Sequence, residues 1–145
     1  MTAQILDVVI LDGRRCPLPS APSPFPPGFD LPPGQFFSGA DHRNVRGYGA
    51  VWQIVDGRLL VVGFGGTVEA FPGGDRQIGM REVYGTEGPV WAEWVSRTLV
   101  IPVGEPVHDP EGFRAPTSTA SCEVQVLHGR VTGMTTRAAA ERPVA

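Results

Sequence analysis

The sequence predicts an all-β chain: a single-domain antiparallel sandwich or partly open barrel of about six to seven strands. Three observations carry that expectation. Short runs of β-branched and aromatic residues recur along the 145 residues, set apart by two-residue turn signals. The 19 glycines and 15 prolines favour turns over long helices. No stretch repeats apolar residues at the spacing of a convincing amphipathic helix. The hydrophobic fraction, 41%, suffices to fill one core at this length.

The elements follow in chain order. Residues 4–11 are apolar and β-branched and run into Asp12-Gly13, a strand entering a tight turn. Leu6, Val8 and Ile10 share one face of it. Residues 17–34 hold eight of the 15 prolines. Proline cannot donate to a sheet ladder, so this segment reads as an extended connector over the core, anchored by Phe25, Phe29 and Leu31. Residues 48–64 give the strongest signal, two β-rich runs joined by Asp56-Gly57, a hairpin with a type I′ turn. Tyr48, Ala50, Trp52 and Ile54 share a face. The glycine-rich residues 63–66 and 71–74 read as irregular connection, with room for at most a short helix over 78–84. Strand signals return at 90–95 and 98–103, with Ser96-Arg97 as a turn or a bulge between them. Residues 104–121 read as a loop, and 122–127 and 130–135 as a last hairpin around His128-Gly129. The domain is expected to span 1–136, leaving 137–145 as a flexible tail.

Two blocks of this chain carry a family likeness. The first is Arg46-Gly47-Tyr48-x-Ala50-x-Trp52-x-Ile54-x-Asp56-Gly57-x-Leu59. The second is Val90-x-Ala92-Glu93-Trp94-x-Ser96-x-x-Leu99-x-Ile101-Pro102-x-Gly104-Glu105. Together they resemble a family of small uncharacterised bacterial proteins with an RGYxAxWxIxDGxL hairpin and a VxA(D/E)WxSxxLxIPxGE block. The likeness covers roughly residues 46–105, and Arg97 stands where that family often has glycine. The resemblance implies one β-rich domain. It implies no catalytic residue, because the family has no assigned activity.

Charge and composition exclude several functions. The net charge is −3, and all 12 basic residues are arginine, with no cluster beyond Arg14-Arg15. Nucleic acids and anionic membranes call for a dense basic footprint, so neither is an expected partner. The lack of lysine rules out Schiff-base chemistry and a P-loop lysine. Cys16 and Cys122 make neither a disulfide framework nor a zinc spacing. The first residues lack the basic and apolar regions of a signal peptide, and no apolar run is long enough to span a membrane. A cytoplasmic protein with reduced thiols is expected.

Candidate chemistry is sparse. Gly63-Phe-Gly-Gly-Thr67 cannot act as a phosphate loop, because Pro72 arrives before a helix could start. His42 and His108 each neighbour an aspartate and are the residues to consider as general bases, while His128 sits in a turn. No metal or cofactor is expected. Cys122 reads as a buried, inert thiol, and Cys16, in a loop beside Arg15, as the more reactive one. In a regular strand over 90–95, Trp94 shares parity with Val90 and Ala92, which places it in the core and leaves Trp91 partly exposed.

These absences favour a non-catalytic protein-interaction domain, in concrete form an immunity or antitoxin-like protein that neutralises a cationic partner. Trp91, Glu93, Glu82, Glu87 and Glu69 are its candidate partner contacts. Open sheet edges would also allow a homodimer. The alternative is a small β-barrel enzyme or ligand carrier with its pocket near the glycine-rich loops.

Overall fold

The computed structural model describes residues 7–38, 46–70, 73–107 and 117–138. It is all-β, as the turn spacing predicts. Among the described residues there are ten strands and one short helix: β1 (Asp7–Leu11), β2 (Arg14–Leu18), β3 (Gln35–Phe37), β4 (Tyr48–Val55), β5 (Arg58–Ala70), β6 (Gly74–Gly79), α1 (Met80–Tyr84), β7 (Val90–Trp91), β8 (Arg97–Val107), β9 (Thr117–Leu127) and β10 (Arg130–Ala138). They form one sheet of order β2-β1-β4-β5-β10-β9-β8, with β3, β6 and β7 also pairing with β5. The two ends of that order, β2 and β8, lie against each other without pairing, so the sheet curls but does not close.

Three features depart from the expected antiparallel sheet of six to seven strands. First, β1 pairs with β4 in parallel, Val9 opposite Trp52 and Leu11 opposite Ile54. A parallel neighbour needs a long crossover, and the proline-rich segment supplies it. Second, two unexpected strands flank that segment: β2 takes up Pro17 and Leu18, expected to be connector, and β3 begins just past its end. Third, β8 and β9 run well into the expected 104–121 loop, and β10 takes in Arg137 and Ala138 of the expected tail.

All three two-residue turns form as read. Asp12-Gly13, Asp56-Gly57 and His128-Gly129 each place both residues at positive φ, the type I′ geometry whose twist matches the flanking strands. Alternation then sets the core. Val9 and Leu11 of β1, Cys16 and Leu18 of β2, Ala50 and Trp52 of β4, and Leu59 and Val61 of β5 point inward. Leu99 and Ile101 of β8 and Cys122, Val124 and Val126 of β9 close over them. Within β1 it is the face of Val9 and Leu11, not that of Val8 and Ile10, which is fully buried.

The glycine-rich residues 63–66 are not an irregular connection. They lie inside the 13-residue β5, which continues to Ala70. A register shift opposite Val51 and Trp52 leaves Val62 as an extra residue and bends the strand there. Beyond the bend, glycine is required by close packing. A Cβ on Gly66 would lie 2.9 Å from the Phe37 ring and 3.2 Å from Tyr48. The rings of Phe25, Phe37, Tyr48 and Phe64 therefore rest against one another above bare backbone, with centroids 5.0–6.3 Å apart. This cluster and Phe29 and Leu31 cover a second core of Val68, Ile78 and Val83. The three anchors expected of the connector are all in it. Two side chains pin the connector from outside: Trp94 Nε1–H donates to Ser23 O at 2.8 Å, and the Tyr84 hydroxyl donates to Pro24 O.

Candidate functional site

The second half of β5, with β3 on one side and β6 on the other, makes a three-stranded flap. Its inner face carries Val68 and Phe37 onto the aromatic cluster. Directly opposed residues share a face, so Phe36, Glu69 and Asp75 form one row across its outer face. Phe36 is 51% exposed, a large apolar ring held in water at the β3 end of the row, with Glu69 on the adjacent strand and Asp75 one strand beyond. Beside the row, Gln77 Nε2–H donates to the Thr67 hydroxyl at 2.9 Å, which fixes the polar neighbours of the ring. Next to Phe36 runs a groove of about 330 Å³ lined by Phe25, Phe29, Leu31 and Phe37, with Asp30 on its wall. The described surface thus joins aromatic area to three carboxylates, Asp30, Glu69 and Asp75.

Of the acidic contacts expected from sequence, Glu69 alone belongs to this row. Glu82 is committed locally: its carboxylate accepts the Gly79 N–H at 2.7 Å at the start of α1. Glycine there offers no side-chain acceptor, so only the reciprocal half of a capping box forms. That bond, and a second from its own backbone, hold the Glu82 carboxyl below its ordinary range. Glu87 meets Arg81 at 3.3 Å. Glu93 is exposed in the turn that follows β7. The expected residues are therefore spread over the flap, the helix, the loop after it, β7 and that turn.

The tryptophan expectation needs correcting. Strand β7 ends at Trp91 and the chain turns over 92–96, so strand parity does not extend to Trp94. Ala92 and Val95 enter the core, whereas Trp94 stays half-buried, stacked on Tyr84 with centroids 6.2 Å apart. Trp91 is half-buried as well. Its Nε1–H donates to Gly129 O at 2.9 Å, and the guanidinium groups of Arg58 and Arg130 lie 4.7 and 4.9 Å from its ring centroid. Arg58 and Arg130 are direct cross-strand partners, a like-charge pair that costs stability. The electron-rich ring between them offsets that cost.

Cys16 also differs from its expected setting. It lies in β2 rather than a loop, and it is buried, as Cys122 is. His42 and His108 lie outside the described residues. His128 is exposed at its turn, where its backbone N–H donates to the Ser96 hydroxyl at 2.8 Å. Among the described residues, no three His, Cys, Asp or Glu side chains gather as metal ligands, and no helix is long and apolar enough to cross a membrane.

Sequence reasoning overlooked one polar centre. Asp7 is buried, its side chain fully so, and accepts three hydrogen bonds: from Arg46 Nη2 at 2.9 Å, from the Ala50 N–H at 3.1 Å and from Trp52 Nε1–H at 3.1 Å. It ties the first strand to the start of β4. The signal was available, an aspartate on the β1 face that includes Val9 and Leu11, but its donors lie about forty positions away. No known family, curated protein or solved structure matches this chain, and the likeness in the two motif blocks rests on those residues alone.

Proposed function

We propose that this chain is a non-catalytic protein-binding domain that presents the outer face of the β3-β5-β6 flap to a cationic partner. The supporting observation is the row Phe36, Glu69 and Asp75, an exposed ring with two carboxylates in line beside it. An exposed aromatic anchor with charge at its rim is the usual anatomy of a protein-binding hot spot. The ring buries apolar area on contact, and the carboxylates steer a basic segment onto it. The net charge of −3 works in the same direction. An immunity-type inhibitor, which covers the basic working surface of a partner toxin, is the form this acidic balance favours.

The test compares the tagged chain with a Phe36→Ser, Glu69→Gln, Asp75→Asn triple variant in native cell extract. The expected result is one stoichiometric protein partner, released by salt and not retained by the variant. A bait that captures nothing, or a partner held equally by the variant, refutes the reading.

A further inference from the structure

A second site lies away from the flap, where the curled sheet fails to close. Strand β10 pairs with β5 at Arg130 alone. Its later residues face Cys122 and Val124 of β9 across the ladder, Thr136 opposite Cys122 and Met134 opposite Val124. They share the inner face of the sheet, yet Met134 is 46% exposed. Between this strand, the β1-β2 hairpin and β8 is a cavity of about 380 Å³, in the range of small-molecule sites. Leu11, Cys16, Val103, Cys122 and Met134 supply its apolar wall.

One charge is placed to read a ligand there. In β2, Cys16 and Leu18 are buried and alternate with exposed neighbours, so Arg14 at the strand's start shares their inward face. It stands at the mouth of the cavity and forms no ion pair among the described residues. The other charged lining residues are Asp12 and Arg15, which leaves the rim net positive. We infer that this cavity binds a small amphipathic carboxylate, its apolar tail between β2 and the β9-β10 ladder and its head group on the Arg14 guanidinium. A guanidinium fork matches a carboxylate in shape and charge. The apolar wall has room for an unbranched or aromatic tail but offers no row of polar groups for a sugar or nucleotide.

Decanoate is the probe, titrated calorimetrically into the full chain, with decanol as the uncharged comparison. The two wall thiols give an independent readout, because an occupied cavity should shield Cys16 and Cys122 from N-ethylmaleimide. The expected result is one decanoate per chain, slowed labelling of both cysteines, and binding weakened by about tenfold or more in Arg14→Gln and for decanol. Arg14 is exposed, so the variant should keep its near-ultraviolet dichroism. Failure of decanoate to bind or to protect the thiols overturns the proposal. Equal binding by Arg14→Gln, or by decanol, overturns it too, by showing that no head group is read. Neither result bears on the flap, whose test is partner capture.

Discussion

Replacing Asp7 by alanine tests the buried polar centre most directly. The carboxylate is shut off from water and accepts from Arg46, from the Ala50 N–H and from Trp52 Nε1–H. In the variant two of those donors, the Ala50 amide and the Trp52 indole, stay buried without an acceptor. Each orphaned group costs about 1–3 kcal/mol. Arg46 is different: its side chain is 41% exposed, so its guanidinium returns to solvent and the lost ion pair adds little. The expected destabilisation is about 3–5 kcal/mol, a large share of the roughly 5–15 kcal/mol that holds a typical domain together. In a chain of this size it lowers the melting temperature by roughly 10–20 °C. Asp7→Asn should cost about half as much, since one amide oxygen still serves the Ala50 amide while the NH₂ turns a donor toward the indole. Trp52→Phe removes that indole donor, so its cost should be smaller in the Asp7→Asn background than in the wild type. Urea unfolding followed by far-ultraviolet dichroism measures the wild type, the three single variants and the Asp7→Asn, Trp52→Phe double variant. A loss under about 1 kcal/mol for Asp7→Ala, at unchanged slope, refutes the reasoning, as would strict additivity of the Asn and Phe changes.

Three further predictions follow from the packing. Trp52→Ala should cost at least about 3–5 kcal/mol because the ring is fully buried, and Trp94→Ala clearly less because its ring is half-exposed; equal losses in urea unfolding would contradict this. Gly57→Ala and Gly129→Ala compare like turns: both positions have positive φ, but a Cβ at Gly57 meets nothing within 4 Å, whereas at Gly129 it would lie 2.6 Å from the Ala92 carbonyl oxygen. Gly57→Ala should therefore cost about 1 kcal/mol and Gly129→Ala well above that, and melting temperatures in the reverse order would refute it. For Tyr84, burial pushes the phenol well above its ordinary value of 10.0, and the charge of Asp7 adds to the effect. A phenol raised on folding contributes stability that is complete below about pH 10 and lost as pH rises beyond it. Urea midpoints measured from about pH 9 to about pH 11 should thus fall more steeply for the wild type than for Tyr84→Phe, and parallel curves would show that Tyr84 does not govern this region.

The features legible along the chain are local. The three turns form where Asp-Gly and His-Gly stand, because both turn positions need positive φ and these pairs adopt it at low cost. The all-β class follows from those turns and the β-branched runs between them. Phe25, Phe29 and Leu31 were legible as anchors, since a proline-rich segment has few other apolar groups to bury. Tertiary structure decided the rest. Gly63, Gly65 and Gly66 read as a loop because glycine weakens a strand by itself; they lie within β5, where the Phe37 ring occupies the space a Gly66 side chain would need and Val51 packs close to Gly63. Trp94 stays half-exposed because the chain turns at Ala92 and Val95 to put those two residues in the core, which no parity count within 90–95 contains. The site residues divide in the same way. Glu69 was visible as a charge, but its pairing with Phe36 and Asp75 is a matter of register between three strands. Asp7 is buried because its donors come from the region of β4, and Arg14 stands at a cavity because β2 meets β8 and β10 there. Turn and strand preferences act over a few residues and can be read along the chain, whereas burial and juxtaposition are set by contacts between segments far apart in it.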